Sequence, residues 1–289
     1  MPTPDATTGP TPTPDATTGP TPTPSPSLAG RLIAFDRSTP LGFQLEVIAA
    51  AGGRATPLAS PDLEVPRFSP DGSWIVVANG SSEQIVFPVL LQPDGSGVHE
   101  LHADQTLSLG TCVWTPDGEW LVCEAWDPAA PDRDGIYMLR ATDGSGLTMI
   151  APAGIPGSVS ADGTQLVYSV TEGHQQRLAV VNLDGTGGAR LGTTNVDSYP
   201  GFMADGTLYD TTGGVMGFFD RAGDLLRTVA APGGSMNEAR LSPDGQRFVF
   251  IYLAPNKGGA IATMNIDGTD LQIIVPAMNG ERVAPDWQP

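Results

Sequence analysis

VPRFSPDGSWIVVA (65–78) is the stretch that decides the fold, because close variants of it recur along the chain. The copies are TCVWTPDGEWLVCEA (111–125), PGSVSADGTQLVYSV (156–170), YPGFMADGTLYDT (199–211) and EARLSPDGQRFVFIY (238–252). Each places an apolar residue, a short linker and Asp-Gly ahead of a β-rich run, at a period of roughly 45 residues, which marks a repeat architecture. The turn aspartates are Asp71, Asp117, Asp162, Asp205 and Asp244. Asp-Gly between two β-rich runs predicts a hairpin, since glycine takes the positive φ that such turns need.

A second hairpin follows each first one: LLQPDGSGVHEL (90–101), LRATDGSGLTMI (139–150), VNLDGTGGARL (181–191), FFDRAGDLLRTV (218–229) and MNIDGTDLQII (264–274). The fourth of these carries Ala222-Gly223 in place of Asp-Gly. Two hairpins per repeat give a four-stranded antiparallel unit, the size of one propeller blade. The chain ends supply a sixth blade. RLIAFD (31–36), LEVIAA (45–50) and RATPL (54–58) read as strands two to four with no first strand before them. VAPDWQP (283–289) resembles VPRFSP (65–70) and stops where the turn would begin. The expected fold is therefore all-β: a six-bladed β-propeller over 30–289, with Ala284–Trp287 pairing beside Arg31–Phe35 to close the ring and remove its free edges.

The SPDG pattern, with an apolar or aromatic residue three before the Asp, resembles the WD-like repeat of TolB-type propellers, and it also occurs in propeller domains of prolyl-oligopeptidase-type enzymes. The third and fourth copies depart from it by carrying Ala-Asp-Gly. The resemblance to TolB-like propellers implies a non-catalytic binding or scaffolding module that contacts another protein or a cell-envelope component in the periplasm.

Residues 1–20 are a ten-residue Pro/Thr repeat, MPTPDATTGP TPTPDATTGP, followed by TPTPSPS. Such a stretch has almost nothing apolar to bury and is expected to be a disordered tether over 1–29. Proline biases it towards polyproline II at about 3.1 Å per residue, enough to hold the domain tens of Å from an anchor. Stalks of this composition suit an extracellular or periplasmic, surface-anchored lipoprotein, and the repeat starts in mid-phase at Met1, compatible with a start further upstream. The net charge of −18, with Lys257 the only lysine, argues against nucleic acid and anionic lipid as partners. No run of apolar residues is long enough for a transmembrane helix, and a monomer is expected.

Catalytic constellations are scarce. The sequence holds three histidines, His99, His102 and His174, and none falls on an expected tunnel strand. His99 and His102, three apart on a strand, point to opposite faces. No G-x-S-x-G elbow, Walker loop or Rossmann fingerprint occurs, and no cofactor is expected. The alternative reading, a metal-dependent lyase or lactonase with its site at the tunnel mouth, needs converging His and carboxylate ligands. Asp127, Asp132 and Asp134 are the nearest to a hard-cation cluster, with Arg133 among them.

Propeller geometry puts the Asp-Gly turns on one face and the longer, more varied loops on the other. Variable loops on a rigid scaffold are where binding concentrates. The candidate contact residues by position are Glu64, Trp126, Asp127, Asp197, Tyr199, Glu238, Glu281 and Arg282. Loops between the second and third strands are expected at 36–44, 79–84, 126–135, 171–177 and 253–260. Pairing around the Asp117–Gly118 turn sets Cys112 opposite Cys123, so a disulfide is a candidate there. Four residues before the turn positions stand Arg67, Arg240 and Asp286, expected to meet as a tunnel-side Arg–Asp–Arg cluster that pins the closing blade.

Overall fold

The computed structural model describes residues 30–39, 42–80, 85–197, 199–277 and 282–289, with 59–61 and 282–283 described by their backbone alone. The expected tether lies outside the described residues. What is described is a ring of six four-stranded antiparallel sheets. Going round, blade 2 holds Leu63–Phe68, Ile75–Asn79, Pro88–Leu91 and His99–Glu100; blade 3 holds Ser108–Trp114, Trp120–Trp126, Gly135–Arg140 and Thr148–Ala151. Blade 4 holds Ile155–Val159, Gln165–Glu172, Gln175–Asn182 and Ala189–Leu191; blade 5 holds Gly201–Phe202, Leu208–Thr212, Val215–Phe219 and Leu225–Val229. Blade 6 holds Ser235–Leu241, Arg247–Leu253, Gly259–Asn265 and Gln272–Val275. Blade 1 takes its innermost strand, Arg282–Trp287, from the C-terminus and its others, Leu32–Thr39, Gly42–Ala49 and Thr56–Pro61, from the start of the described chain. Among the described residues the only helical segment is a single 3₁₀ turn, Pro131–Arg133.

Ring closure follows the expected pairing, with Ile33 opposite Trp287 and Ala34 opposite Asp286. Its extent differs: the pairing runs on to Arg37 opposite Arg282. The second and third strands of blade 1 also reach Thr39 and start again at Gly42, so most of the loop expected at 36–44 is strand. Likewise the 171–177 loop shrinks to the two residues between Glu172 and Gln175. Polar residues such as Arg37, Gln44, Thr171 and Gln176 read as loop by composition, but ladder hydrogen bonds carry them as strand ends.

Packing explains the near-continuous apolar second strands. A blade is covered by a neighbour on both sides, so both faces of its middle strands are buried. Along Ile75–Val77, Ile75 and Val77 face blade 1 while Val76 faces blade 3. In blade 3, Leu121 and Cys123 face blade 2 while Val122 faces blade 4. In blade 6, Phe248 and Phe250 face blade 5 while Val249 faces blade 1. The hydrophobic core is thus divided into one apolar cluster at each blade junction, six in all. The outermost strands read differently, as in Leu225–Val229, where Leu225 and Leu226 are exposed.

Four of the five Asp-Gly turns between first and second strands share one device, the exception being Asp205, which has Met203 at the position of the hydroxyl. The hydroxyl two residues before the Asp donates to its carboxylate and accepts the N–H of the returning strand, as Ser69 does with Asp71 (2.6 Å) and Trp74 (2.9 Å). Thr115, Ser160 and Ser242 repeat it. These hydrogen bonds hold Asp71, Asp117 and Asp162 below the usual carboxylate range. In the second hairpin of blade 5, Asp220 supplies what Ala222 lacks by accepting from the N–H groups of Ala222 (2.9 Å) and Asp224 (3.0 Å). Cys112 and Cys123 are in register and joined as a disulfide, with Cα atoms 4.0 Å apart.

Candidate functional site

Every inner strand for which a ladder of some length is described carries a register shift: between Glu64 and Arg67, Leu109 and Cys112, Pro156 and Ser158, Asn237 and Arg240, and opposite Ala34–Asp36 in the closing strand. In three adjacent blades the shift puts a non-glycine residue, six positions before the turn Asp or its equivalent, at positive φ: Val65 (54°), Glu238 (51°) and Ala284 (49°). A bulge frees backbone N–H groups from the ladder and turns side chains towards the axis. The freed groups are taken up across blade boundaries. Val65 N–H donates to Asp36 Oδ2 (2.8 Å), Ala284 N–H to Glu238 Oε2 (2.7 Å) and Phe68 N–H to Asp286 Oδ2 (2.8 Å). Carboxylates thus stitch blades 6, 1 and 2 together around the tunnel.

Arg67, Arg240 and Asp286 come to this part of the tunnel, but they do not form a salt-bridged cluster. Arg67 Nη1 donates to Pro66 O (2.7 Å), and Arg240 Nη1 donates to Tyr199 O (2.8 Å). Asp286 instead accepts from the backbone of the next blade. The carboxylate is engaged by Phe68 N–H and not by a guanidinium. The three charges still feel one another. Burial and the neighbouring Arg240 push Arg67 down to about 10, and burial raises Asp286 despite both arginines. The ring of Tyr199 lies against both guanidinium groups, 5.2 Å from Arg67 and 4.8 Å from Arg240, and its hydroxyl bonds to Thr111.

At the loop-rich mouth, a hollow of about 350 Å³ is lined by His174, Gln176, Asn195, Val196, Asp197, Asn237 and Glu238. Two of the expected contact residues, Asp197 and Glu238, meet here. Burial raises the pKa of each, most simply because their charged forms lose water. Thr211 Oγ1 donates to Asp197 Oδ2, and Asp197 N–H donates to Thr211 O (2.9 Å). Behind them Asp210 is buried, with Oδ1 taking Thr211 N–H (2.7 Å) and Oδ2 unpartnered. Burial first, and Asp197 second, hold Asp210 well above the usual carboxylate range. Asp210, mid-strand in LYDTT, was not among the expected site residues, and His174 stands exposed at the rim of the hollow. The usable signal was an acidic residue in the middle of a strand that neighbouring blades cover on both faces.

The other candidates are dispersed. Glu64 sits beside Gly80, where a side-chain carbon would come within 2.0 Å of its Oε1, and burial raises its pKa. Trp126 packs over Gly110. Asp127 belongs to a lock on its own loop. Arg133 reaches Asp127 Oδ2, Asp104 Oδ2 and Thr106 Oγ1, each at 2.7 Å, while Asp134 Oδ1 accepts Asp127 N–H (2.8 Å). A guanidinium therefore holds Asp127, and among the described residues no three His, Cys, Asp or Glu side chains gather at metal-binding spacing. Glu281 lies outside the described residues, and Arg282 is placed only as a backbone partner of Arg37. His99 and His102 diverge, to Thr142 O (3.2 Å) and Glu100 (2.9 Å) respectively.

No family model and no curated protein matches the chain. Solved structures do. TolB from Acinetobacter baumannii superposes with a TM-score of 0.68 at 19% identity, over 91% of this chain and 68% of that one. A chain of a nidogen/laminin complex gives 0.69 at 12% identity, over 90% and 99%. A puromycin-hydrolyzing peptidase from Mycobacterium tuberculosis gives 0.56 at 17% identity, over 86% of this chain and 45% of that one. At these identities the likeness is one of fold: the chain has a six-bladed β-propeller fold similar to that of TolB.

Proposed function

We propose that the protein is a non-catalytic binding or scaffolding propeller that takes a protein partner on its loop-rich face, exported and held off a surface by the Pro/Thr stretch at 1–29. The observation that carries this reading is the hollow at the mouth. Polar side chains from blades 4 and 6 and the connection into blade 5 converge there on a rigid ring. Such a concave, polar, pre-formed surface suits a ligand that brings complementary hydrogen bonds. A chain of the same fold occurs in a protein complex, nidogen with laminin. The fold is also shared with a peptidase, but fold alone does not carry function.

The test is affinity capture from an envelope fraction with three baits: the native protein, Asp197→Asn/Glu238→Gln at the mouth, and Asp184→Asn on the Asp-Gly face. The native and Asp184→Asn baits should retain a common partner that the mouth variant loses. Equal recovery on all three baits would reject the mouth as the binding surface. Stoichiometric transition metal in the purified protein would favour the lyase or lactonase alternative instead.

A further inference from the structure

We propose that the tunnel contains an oxyanion site formed by Arg67 and Arg240 and closed by the ring of Tyr199. The two arginines stand four residues before the turn Asp in blades 2 and 6, either side of the closing blade. Both are almost wholly buried, at 4% and 6% exposure. Each commits one terminal nitrogen, Nη1, to backbone carbonyl oxygen: Arg67 to Pro66 at 2.7 Å and, distantly, Ala284 at 3.5 Å, and Arg240 to Tyr199 at 2.8 Å. In both, the same two atoms, Nε and Nη2, have no acceptor. Those two atoms form the side-on edge of a guanidinium, whose parallel N–H groups match two oxygens of a carboxylate or phosphate. Buried polar groups are almost always paired, so two identical unpaired forks in one tunnel call for an explanation.

The protein's own carboxylates do not serve. Asp286 takes Phe68 N–H and Glu238 takes Ala284 N–H, and neither reaches a fork. Tyr199 gives a partial substitute, because a ring face attracts a cation without accepting its N–H groups as an anion would. Its position decides access. It is only partly buried, whereas the fork nitrogens of the two guanidinium groups against its ring are sealed. Rotation of this one side chain would join them to the mouth. Crowding of two like charges, which helps lower Arg67, would be relieved by an anion bound at the forks. The site needs no partner at the mouth and stands or falls separately from the binding role proposed above.

The experiment is titration of the full chain with sodium phosphate and, separately, sodium acetate, against sodium chloride at matched ionic strength, read by melting temperature and calorimetry. Saturable binding of at least one of the two oxyanions is expected, and which one binds identifies the ligand class. Arg67→Lys and Arg240→Lys keep the charge but lose the fork, and each should weaken that binding by tenfold or more. Tyr199→Ala should bind at least as tightly as the native protein. The proposal is overturned if neither oxyanion binds saturably to the native protein or to Tyr199→Ala. It is equally overturned if both lysine variants fold and bind as the native protein does.

Discussion

Glu124 shows how a single residue sets a pH dependence. It lies on the second strand of blade 3, and burial pushes its pKa up to about 7 from 4.5. An acid whose folded pKa is raised is neutral in both states below its unfolded pKa. As pH climbs from about 4.5 to about 7, the unfolded chain ionises first and stability falls. Glu124→Gln removes this loss, so the variant should gain on the native protein across that window, by about 1–3 kcal/mol at its top. Parallel denaturant curves at pH 4.5 and 7.5 check it; an equal gap at both would refute the assignment. The turn glycines allow a second test. Gly245 has a φ of +70°, and a side-chain carbon there would meet nothing within 4 Å. Gly245→Ala should therefore cost about 1 kcal/mol from backbone conformation alone, measured as a shift in urea midpoint with unchanged slope. Positions of this kind were legible in the sequence, because Asp-Gly carries its own backbone requirement. The positive φ at Val65, Glu238 and Ala284 was not, since nothing in the local composition of those residues asks for it.

Among the elements, blade 3 carries an extra tie. The Cys112–Cys123 disulfide joins its inner and second strands across a sequence separation of 11. Loop-closure entropy for so short a span gives about 3 kcal/mol. Cys112→Ala/Cys123→Ala should lower stability by up to that amount while leaving the blade's pairing intact, and unchanged melting would mean that the bond adds nothing. Hairpin counting found this pairing because turn and register are linked by simple arithmetic. It missed the bulges, which let Arg67, Arg240 and Asp286 share one part of the tunnel without an ion pair. A bulge is a two-strand event: its cause is the crowding of inner strands about an axis, which no single strand records. The extended strands at Thr39 and Glu172 escaped for a related reason, since ladder hydrogen bonds overrode polar composition.

The molecule as a whole has no single core; it has six apolar wedges in a circle, and each needs its neighbour. Removing 282–289 would strip blade 1 of its inner strand and uncover Ile33, Phe35, Val249 and Ile261, which pack with Trp287. The truncated chain should lose its cooperative thermal transition and aggregate. One that melts as the full chain does would show that the ring holds without this strand. The same closing strand fixes where the chain enters and leaves. Leu32 N–H donates to Gln288 Oε1 (3.2 Å), and Gln288 Nε2 donates to Gly72 O (3.0 Å) on an Asp-Gly turn. Entry and exit therefore share the underside, across the ring from the hollow lined by His174, Asp197 and Glu238. The two ends of the described ring and the hollow are on opposite faces. A protein fused after Pro289, or a sensor chip gripping the chain there, would leave every mouth pointing away from its support.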